Sequence, residues 1–203
     1  MSKTKRQYNS VRRTQAKQQT MLDIVEAAVT MHSAGITAVE EVAKEAGVSA
    51  ATVRKYFPTQ EDLFKGCTLH FSRKYSPPSP EQWAQIDEAS ERISVCVEQL
   101  YAFLEISMGV TWLAFRTQDE SPVMKQTLLH MEQYIDVAVN AVFGKKQPKD
   151  AFARKAVRSV LHPLYYRALR LHGGFQPDEC IRFSSNTIAS ILNNGGIGKN
   201  DYI

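Results

Sequence analysis

The chain has 203 residues, of which 43% are hydrophobic and 23% charged, and its formal net charge is +4. This length suits one domain or a small domain joined to a larger one, and the apolar content excludes a disordered chain. Gly and Pro are sparse, and long stretches lack the alternation of a half-buried strand, so an all-α protein is predicted.

Positive charge is concentrated in the first part of the chain. Residues 1–80 contain 12 Lys and Arg against 7 Asp and Glu, whereas residues 81–203 contain 13 against 14. Residues 1–19 are predicted to form a basic arm, which is either a solvated chain end or a source of phosphate or minor-groove contacts. Its cations are Lys3, Lys5, Arg6, Arg12, Arg13 and Lys17.

The cysteines and the apolar segments indicate a cytoplasmic protein. Cys67, Cys96 and Cys180 form neither an even set nor a metal-type pair, which indicates reduced thiols. The basic amino terminus lacks the apolar segment of a signal peptide. No stretch approaches about 18 uninterrupted apolar residues, so no membrane partner is expected.

The first predicted helix follows the basic arm and ends at Gly35. His32, near its end, is expected to be a polar surface or cap residue rather than a metal ligand, since no second ligand lies at a useful spacing. The buried stripe at helical spacing is Met21, Ile24, Val25, Ala28, Val29 and Met31.

Residues 37–63 read as two short helices, a tight turn and the start of a third helix. Thr37 and Glu40 have the spacing of a capping box at the start of the first. Gly47 permits the left-handed backbone that a sharp reversal requires. The apolar face of this first helix consists of Val39, Val42, Ala43 and Ala46.

Ser49 is the predicted N-cap of the second short helix, which Pro58 ends. Val53 and Phe57 should point inward. Thr59, with Asp62 three residues later, starts a further helix that runs to about Tyr75. The outward positions of the second helix are Ala50, Thr52, Arg54, Lys55 and Tyr56.

A helix, a glycine turn and a second helix with a basic outer face are the layout of a helix-turn-helix that enters the DNA major groove. The periodicity alone fits a plain pair of core helices equally well. Cys67 and His70 are three residues apart and supply only half of a metal site, so no metal is predicted.

The segment Ser-Pro-Pro-Ser-Pro at 76–80 cannot continue a helix and is predicted to be a stiff connector between two domains. A bend near 158–162 is expected, because Pro163 lacks the amide hydrogen that a helix interior needs. The helices predicted beyond the connector are 83–107, 109–117, 122–143 (with Ser121 as N-cap and Gly144 at the end), 148–172 and 177–192.

Aromatic, His and Met side chains are grouped on these later helices. Such a set is more often core than pocket, although a bend opens space between helices. The candidates for ligand contact are Met108, Trp112, Phe115, His130, Tyr134, His162, Tyr165 and Tyr166.

The order A-x-x-A-G-V-S-x-x-T-V-x-x-Y-F-x-x-x-E-x-L, from Ala43 to Leu63, resembles the DNA-binding domain of the tetracycline-repressor (TetR) family of bacterial transcription regulators. Arg54 stands where that family usually has Tyr, and Gln60 stands where it usually has a phosphate-binding Lys. Tyr56 matches a position that commonly touches the DNA backbone.

The resemblance implies a DNA-binding domain at 20–75, with the helix-turn-helix at about 38–57 and a connecting helix behind it. It also implies an effector-binding and dimerisation bundle at 81–203, in which helices 148–172 and 177–192 pair with a second subunit. The predicted DNA-contacting residues are Thr37, Ser49, Ala50, Ala51, Thr52, Arg54, Lys55, Tyr56 and Gln60.

The predicted function is a dimeric, nucleoid-associated repressor that a small-molecule effector releases from an inverted-repeat operator. The alternative is a DNA-binding regulator or organiser whose carboxy-terminal domain responds to a protein partner. The sequence has no Gly-rich phosphate loop, no nucleophile elbow, no H-E-x-x-H motif and no clustered acid and base pair on one helix face, so neither enzymatic activity nor a cofactor is predicted.

Overall fold

The computed structural model describes residues 3–145 and 151–193, with side chains described from residue 12 onward. Within these ranges the chain forms ten α-helices and no strand, which confirms the predicted all-α class. The helices are α1 (Lys3–Ser33), α2 (Val39–Glu45), α3 (Ala50–Tyr56), α4 (Gln60–Lys74), α5 (Pro80–Trp83), α6 (Ala89–Thr117), α7 (Pro122–Phe143), α8 (Ala151–Leu161), α9 (Pro163–Leu171) and α10 (Pro177–Asn193).

The chain divides into two compact units. Unit 1 comprises Met1–Ser76 and Trp112–Lys125, and unit 2 comprises Pro77–Thr111 and Gln126–Ile203. The division at Ser76 lies beside the predicted connector, but Trp112–Lys125 groups with the amino-terminal helices rather than with the rest of 81–203. The roles predicted for the two domains stay predictions.

The core of unit 1 is formed by the inward faces of α1 to α4. Ile24 and Ala28 of α1, Val42 of α2 and Val53 of α3 are fully buried. These positions follow the helical spacing of the sequence, because only one face of each short helix can be removed from water. The same cluster holds α3 in place and leaves its other face exposed.

The core of unit 2 is formed by helices α6 to α10. The Tyr101 hydroxyl of α6 lies 2.8 Å from both the Val160 carbonyl oxygen and Ser184 Oγ, so it joins α6 to α8 and α10. Helix α6 is long and apolar enough to cross a membrane by length and composition alone. The same composition is expected of a core helix, and Leu100, Tyr101 and Leu104 are buried in this unit.

Helix α1 begins much earlier than predicted. It starts at Lys3, within the residues assigned to a basic arm, and continues without a break to Ser33. No Gly or Pro lies between these two residues, and most of the arm consists of Gln, Lys, Arg and other residues that tolerate a helix.

The predicted separate helices 83–107 and 109–117 are instead the short α5 and the single long α6, so that prediction was wrong. Gly109 lies inside α6, where it costs about 1 kcal/mol relative to Ala. The next turn buries Val110 and Leu113, whose packing offsets that cost.

Pro163 breaks the predicted 148–172 helix rather than bending it. His162 has φ −74° and ψ 138°, because the ring of the following proline excludes the α-helical region. Two helices, α8 and α9, therefore meet at His162, and its Nδ1 accepts a hydrogen bond from the Leu164 amide at 3.2 Å. The predicted start at Pro148 lies outside the described residues.

Most of the predicted helix termini are confirmed. Thr59 and Asp62 form a reciprocal capping box at α4. Ser121 Oγ accepts a hydrogen bond from the Met124 amide at 3.2 Å at the start of α7. Gly144, with φ +59°, follows its end. Each of these caps depends on residues within one helical turn.

Candidate DNA interface

The turn between α2 and α3 has the predicted geometry, but the start of α2 does not. Gly47 has φ +66°, and the Val48 amide donates to the Ala43 carbonyl at 2.9 Å. The N-cap of α2 is Ala38, which makes no side-chain cap hydrogen bond. The predicted Thr37–Glu40 capping box was therefore wrong, because the Glu40 carboxylate turns toward α3.

Helix α3 presents one polar face to solvent. Val53 is fully buried and Phe57 is 9% exposed, whereas Arg54 and Lys55 lie on the exposed side. Ser49 begins the helix by accepting a hydrogen bond from the Thr52 amide at 3.1 Å, which confirms it as the N-cap. Of the remaining candidates, Ala51 is exposed and Thr37, Ala50, Thr52 and Tyr56 are half-buried.

Arg54 is held by a carboxylate that the sequence did not suggest. Its Nη2 donates to Glu40 Oε1 at 2.5 Å, and both side chains are more than half exposed. A backbone amide and the Arg54 guanidinium lower the pKa of Glu40, so this carboxylate is ionised at neutral pH. Any other group that binds the Arg54 guanidinium would have to compete with Glu40 for it.

The neighbouring polar residues differ in how accessible they are. Lys55 Nζ lies 5.8 Å from the centroid of the Tyr56 ring, within the range of a cation–π contact. Ser49 Oγ and Thr52 Oγ1 are 2.9 Å apart, so each hydroxyl already has a partner. Gln60 Nε2 is buried and makes no hydrogen bond with the described protein atoms.

Glu61, the next residue of α4, caps the amino terminus of α7. Its Oε2 accepts from Ser121 Oγ and its Oε1 accepts from the Val123 amide, both at 2.6 Å. A carboxylate at the amino terminus of a helix accepts hydrogen bonds from amides that the helix itself leaves unpaired. It also interacts favourably with the positive end of the helix dipole. Helix α4 follows α3, the second helix of the helix-turn-helix, named here the recognition helix. Glu61 thereby joins α4 to the start of α7 within unit 1.

His32 is buried, so its prediction as a surface or cap residue was wrong. Its Nδ1 lies 3.3 Å from Cys67 Sγ, and its ring packs edge-on against Phe64 with centroids 5.1 Å apart. Burial lowers the pKa of His32 to about 4 and raises that of Cys67 to about 12. The sequence does indicate this burial, because His32 follows Ile24 and Ala28 at intervals of four residues on the buried face of α1.

Cys67 and His70 do not converge on one site. Cys67 contacts His32, whereas His70 Nε2 lies 3.6 Å from Glu26 Oε1. In the described part of the chain, no group of three or more His, Cys, Asp or Glu residues is arranged to hold a metal ion.

The eight predicted ligand residues are distributed over both units. Trp112 and Phe115 belong to unit 1 and are half-buried, and the other six belong to unit 2. Tyr166 is buried, donates its hydroxyl to the Glu105 carboxylate and packs on Tyr101 with ring centroids 4.6 Å apart. These contacts raise its pKa through burial and the neighbouring negative charge.

Other members of the set in unit 2 also make internal contacts. The Tyr134 hydroxyl donates to the Pro78 carbonyl at 2.9 Å, and His162 Nε2 lies 3.1 Å from Glu132 Oε1. His130 is exposed, while Met108 and Tyr165 are half-buried against the core. A role for the eight residues in ligand binding stays a prediction.

Unit 2 contains an open cavity of about 470 Å³ between the α5 region and the end of α7. A smaller cavity of about 160 Å³ lies nearby and is lined in part by Arg92 and Lys145. Neither lining includes any of the eight predicted residues. The larger cavity is lined by Pro80, Glu81, Ala84, Gln85, Val137, Asn140, Ala141, Gly144 and Lys145.

Comparison with known proteins agrees with this geometry. Residues 24–67, which include α2 and α3, match the family model described as bacterial regulatory proteins, tetR family. No curated protein matches the chain.

Solved structures share the fold over most of their length. A protein assigned to the TetR-family transcriptional regulators from Mesorhizobium loti is 18% identical, with TM-score 0.64 and coverage of 86% of this chain and 96% of that one. A transcriptional regulator from a Rhodococcus species is 16% identical, with TM-score 0.63 and coverage of 88% and 98%. PfmR, a TetR-family regulator from Thermus thermophilus, is 17% identical, with TM-score 0.61 and coverage of 87% and 99%.

These TM-scores show a shared fold, and the family model matches the segment that contains α2 and α3. The chain therefore has the fold of these solved structures, and residues 24–67, which contain the helix-turn-helix, are similar to the tetR family of bacterial regulatory proteins.

Proposed function

We propose that the protein is a cytoplasmic, nucleoid-associated repressor that binds an inverted-repeat operator as a homodimer. The observation that carries this proposal is the exposed pair Arg54 and Lys55 on a short helix whose Val53 and Phe57 are buried. A helix anchored on one face and basic on the other suits the DNA major groove. In a dimer, two such helices about 34–36 Å apart would meet successive grooves.

Arg54 is the proposed base reader, because its planar guanidinium can donate two hydrogen bonds to guanine. Lys55 and Tyr56 would contact the phosphate backbone, which adds affinity without selecting a sequence. Ala50 and Ala51 offer only apolar contact, for which a thymine methyl is the natural partner.

The test begins with an operator selected by the wild-type protein from randomised duplexes. Arg54→Ala should lose discrimination at one base pair in each half-site, worth about 1–3 kcal/mol, whereas Lys55→Ala should weaken all sequences alike. Glu40→Ala should strengthen binding, because it removes the carboxylate that holds Arg54.

Lys44→Ala, which removes an exposed cation from α2, is the matched control for charge. If Arg54→Ala weakened binding to every single-base variant of the operator equally, Arg54 would be a phosphate contact instead. If the wild-type protein selected no duplex, the proposal of operator binding would fail.

The homodimer is proposed to form through the predicted helices 148–172 and 177–192, whose described parts are α8, α9 and α10. Four large apolar side chains on these helices are exposed, namely Phe152 at 49%, Leu164 at 38%, Leu171 at 61% and Phe183 at 44%. A second copy of the chain would remove such side chains from water.

Phe183→Glu should therefore yield a monomer in light scattering at micromolar concentration. Leu129→Glu is the matched control, since Leu129 is 50% exposed on α7, outside the proposed interface. A dimer in both variants would exclude Phe183 from the interface.

A small molecule is proposed to weaken operator binding. The cavity of about 470 Å³ supports this, because its volume lies within the range of ligand sites, about 300–1,000 Å³. Compounds that raise the melting temperature of the protein would be added to the protein–operator complex. An effector should weaken operator affinity about 5- to 150-fold, which corresponds to a coupling of about 1–3 kcal/mol. Stabilising compounds that leave operator affinity unchanged would favour a regulator that responds to a protein partner.

A further inference from the structure

The amino-terminal part of α1 is longer than the packing of unit 1 requires. Among the α1 side chains that the structure describes, from Arg12 onward, the buried face begins at Ile24, whereas the helix starts at Lys3. Residues 3–20, named here the basic extension, span about 27 Å at 1.5 Å per residue. Within it, residues 12–19 are all exposed. Burial of apolar surface therefore does not explain residues 12–19.

All charged side chains of the basic extension are positive. The extension contains six Lys and Arg, and the first acid of the chain is Asp23. Arg13 and Lys17 are exposed and lie four residues apart on α1, a spacing at which like charges repel each other. A polyanion alongside the helix would turn that repulsion into attraction.

The extension lacks the apolar face that a membrane-surface helix requires. Its residues without charge are mostly Gln, Thr, Ser and Asn, and its only apolar or aromatic members are Tyr8, Val11 and Ala16. A helix that lies in a lipid surface inserts a continuous apolar face, which this composition does not provide. The charge and the composition favour a nucleic-acid backbone.

The extension departs from the buried cluster of α1 to α4 near the end of α3. A Cβ placed on Gly66 would lie 2.7 Å from Phe57 Cε1 and 3.3 Å from Val25 Cγ1, so both side chains border Gly66. Val25 is about 7.5 Å along α1 from Thr20, where the extension ends. The opposite end of α1 borders Arg116, whose Nη1 lies 3.2 Å from a Cβ built on Gly35. The extension therefore runs away from the Trp112–Lys125 segment.

We propose that the basic extension lies along the backbone of duplex DNA that flanks the operator half-site, with Arg13 and Lys17 contacting phosphates. This inference rests on the operator binding proposed above and enlarges the bound surface beyond α3. A helix of about 27 Å covers roughly eight base pairs at 3.4 Å each. Contacts of this kind add affinity and salt dependence without reading bases.

The test compares Arg13→Gln/Lys17→Gln with Arg73→Gln/Lys125→Gln, which removes the same charge from exposed positions on α4 and α7. The probes are an operator selected by the wild-type protein, once trimmed to its two half-sites and once with ten mixed-sequence base pairs on each side. Dissociation constants are measured between 50 and 200 mM salt.

On the flanked duplex, the first variant should lower the salt slope by about 1.8 per protomer, since each phosphate contact contributes about 0.9. When the salt concentration rises from 50 to 200 mM, the affinity of this variant should therefore fall by a factor that is about 12-fold smaller per protomer than the factor for the wild type. On the trimmed duplex the two proteins should bind alike, and the control variant should match the wild type on both duplexes.

If Arg13→Gln/Lys17→Gln had the same salt slope as the wild type on the flanked duplex, the inference would be overturned. Operator binding would not be affected by that result, because the wild-type protein establishes it. An equal loss on the trimmed and flanked duplexes would also overturn it, because the contacts would then lie within the operator. Failure of the wild-type protein to bind any duplex would refute the proposed function instead.

Discussion

Replacing Glu61 by Ala should destabilise the protein more than an ordinary surface substitution. The carboxylate receives hydrogen bonds from Ser121 Oγ and the Val123 amide, both at 2.6 Å, and it is half-buried. Without it, the Val123 amide at the second position of α7 loses a charged acceptor at the positive end of the helix dipole. The change therefore affects both the start of α7 and the beginning of α4.

The magnitude follows from these two contacts. A hydrogen bond to a charged group contributes about 1.5–3 kcal/mol, and loss of a helix cap costs about 0.5–2 kcal/mol. These values describe overlapping effects, and solvent screens a half-exposed carboxylate, so the sum is an upper limit. We expect Glu61→Ala to lower the free energy of unfolding by about 2–4 kcal/mol, and Glu61→Gln by less, since one amide oxygen can still accept a bond.

Urea unfolding followed by circular dichroism measures this loss. Glu98→Ala, an exposed position in the middle of α6, should change stability by no more than about 0.5 kcal/mol. Ser121→Ala completes a double-mutant cycle, whose coupling energy with Glu61→Ala should be about 0.5–3 kcal/mol. Strictly additive losses, or a Glu61→Ala protein as stable as Glu98→Ala, would refute the role assigned to this carboxylate.

Two further predictions concern buried polar groups. Because burial lowers the pKa of His32 from 6.5 to about 4, its stabilising contribution is present above pH 6.5 and is lost as pH falls toward 4, by up to about 3 kcal/mol. Denaturant unfolding at several pH values should show this dependence, and His32→Leu should flatten it; an identical pH dependence in both proteins would exclude His32 as the cause. Tyr101→Phe should lower the free energy of unfolding by about 1–3 kcal/mol, because the Val160 carbonyl and Ser184 lose a buried partner. Tyr165→Phe, at a half-buried tyrosine of the same unit, is the control in the same urea assay, and equal losses in both variants would contradict the importance of the Tyr101 hydrogen bonds.

The sequence by itself determined the helices of the DNA-binding segment and most of their ends. Ser49, the Thr59–Asp62 pair and Ser121 cap their helices as predicted, and Gly47 adopts the expected positive φ. Caps and turns depend on side chains and backbone groups within about one helical turn of each other, so the local order of residues specifies them.

The local order of residues did not predict the structure correctly where tertiary packing outweighed a local conformational preference. Gly109 lies inside a continuous α6, because the adjacent buried residues compensate the conformational cost of glycine. Thr37 and Glu40 have the spacing of a capping box, but Arg54 on the next helix competes for the carboxylate. Spacing indicates which contacts are possible, and the competing partner is visible only in the folded chain.

Tertiary structure alone decided the partners of the polar residues around the recognition helix. Glu40 pairs with Arg54 at a separation of 14 residues, His32 with Cys67 at 35, and Glu61 with Ser121 at 60. Helical periodicity states which face of an element is buried, but it carries no information about which distant element covers that face. The first pairing arises only when α2 packs beside α3, and the other two only when α1, α4 and the start of α7 pack together. Only then do charged and polar groups far apart in the chain come within hydrogen-bonding distance.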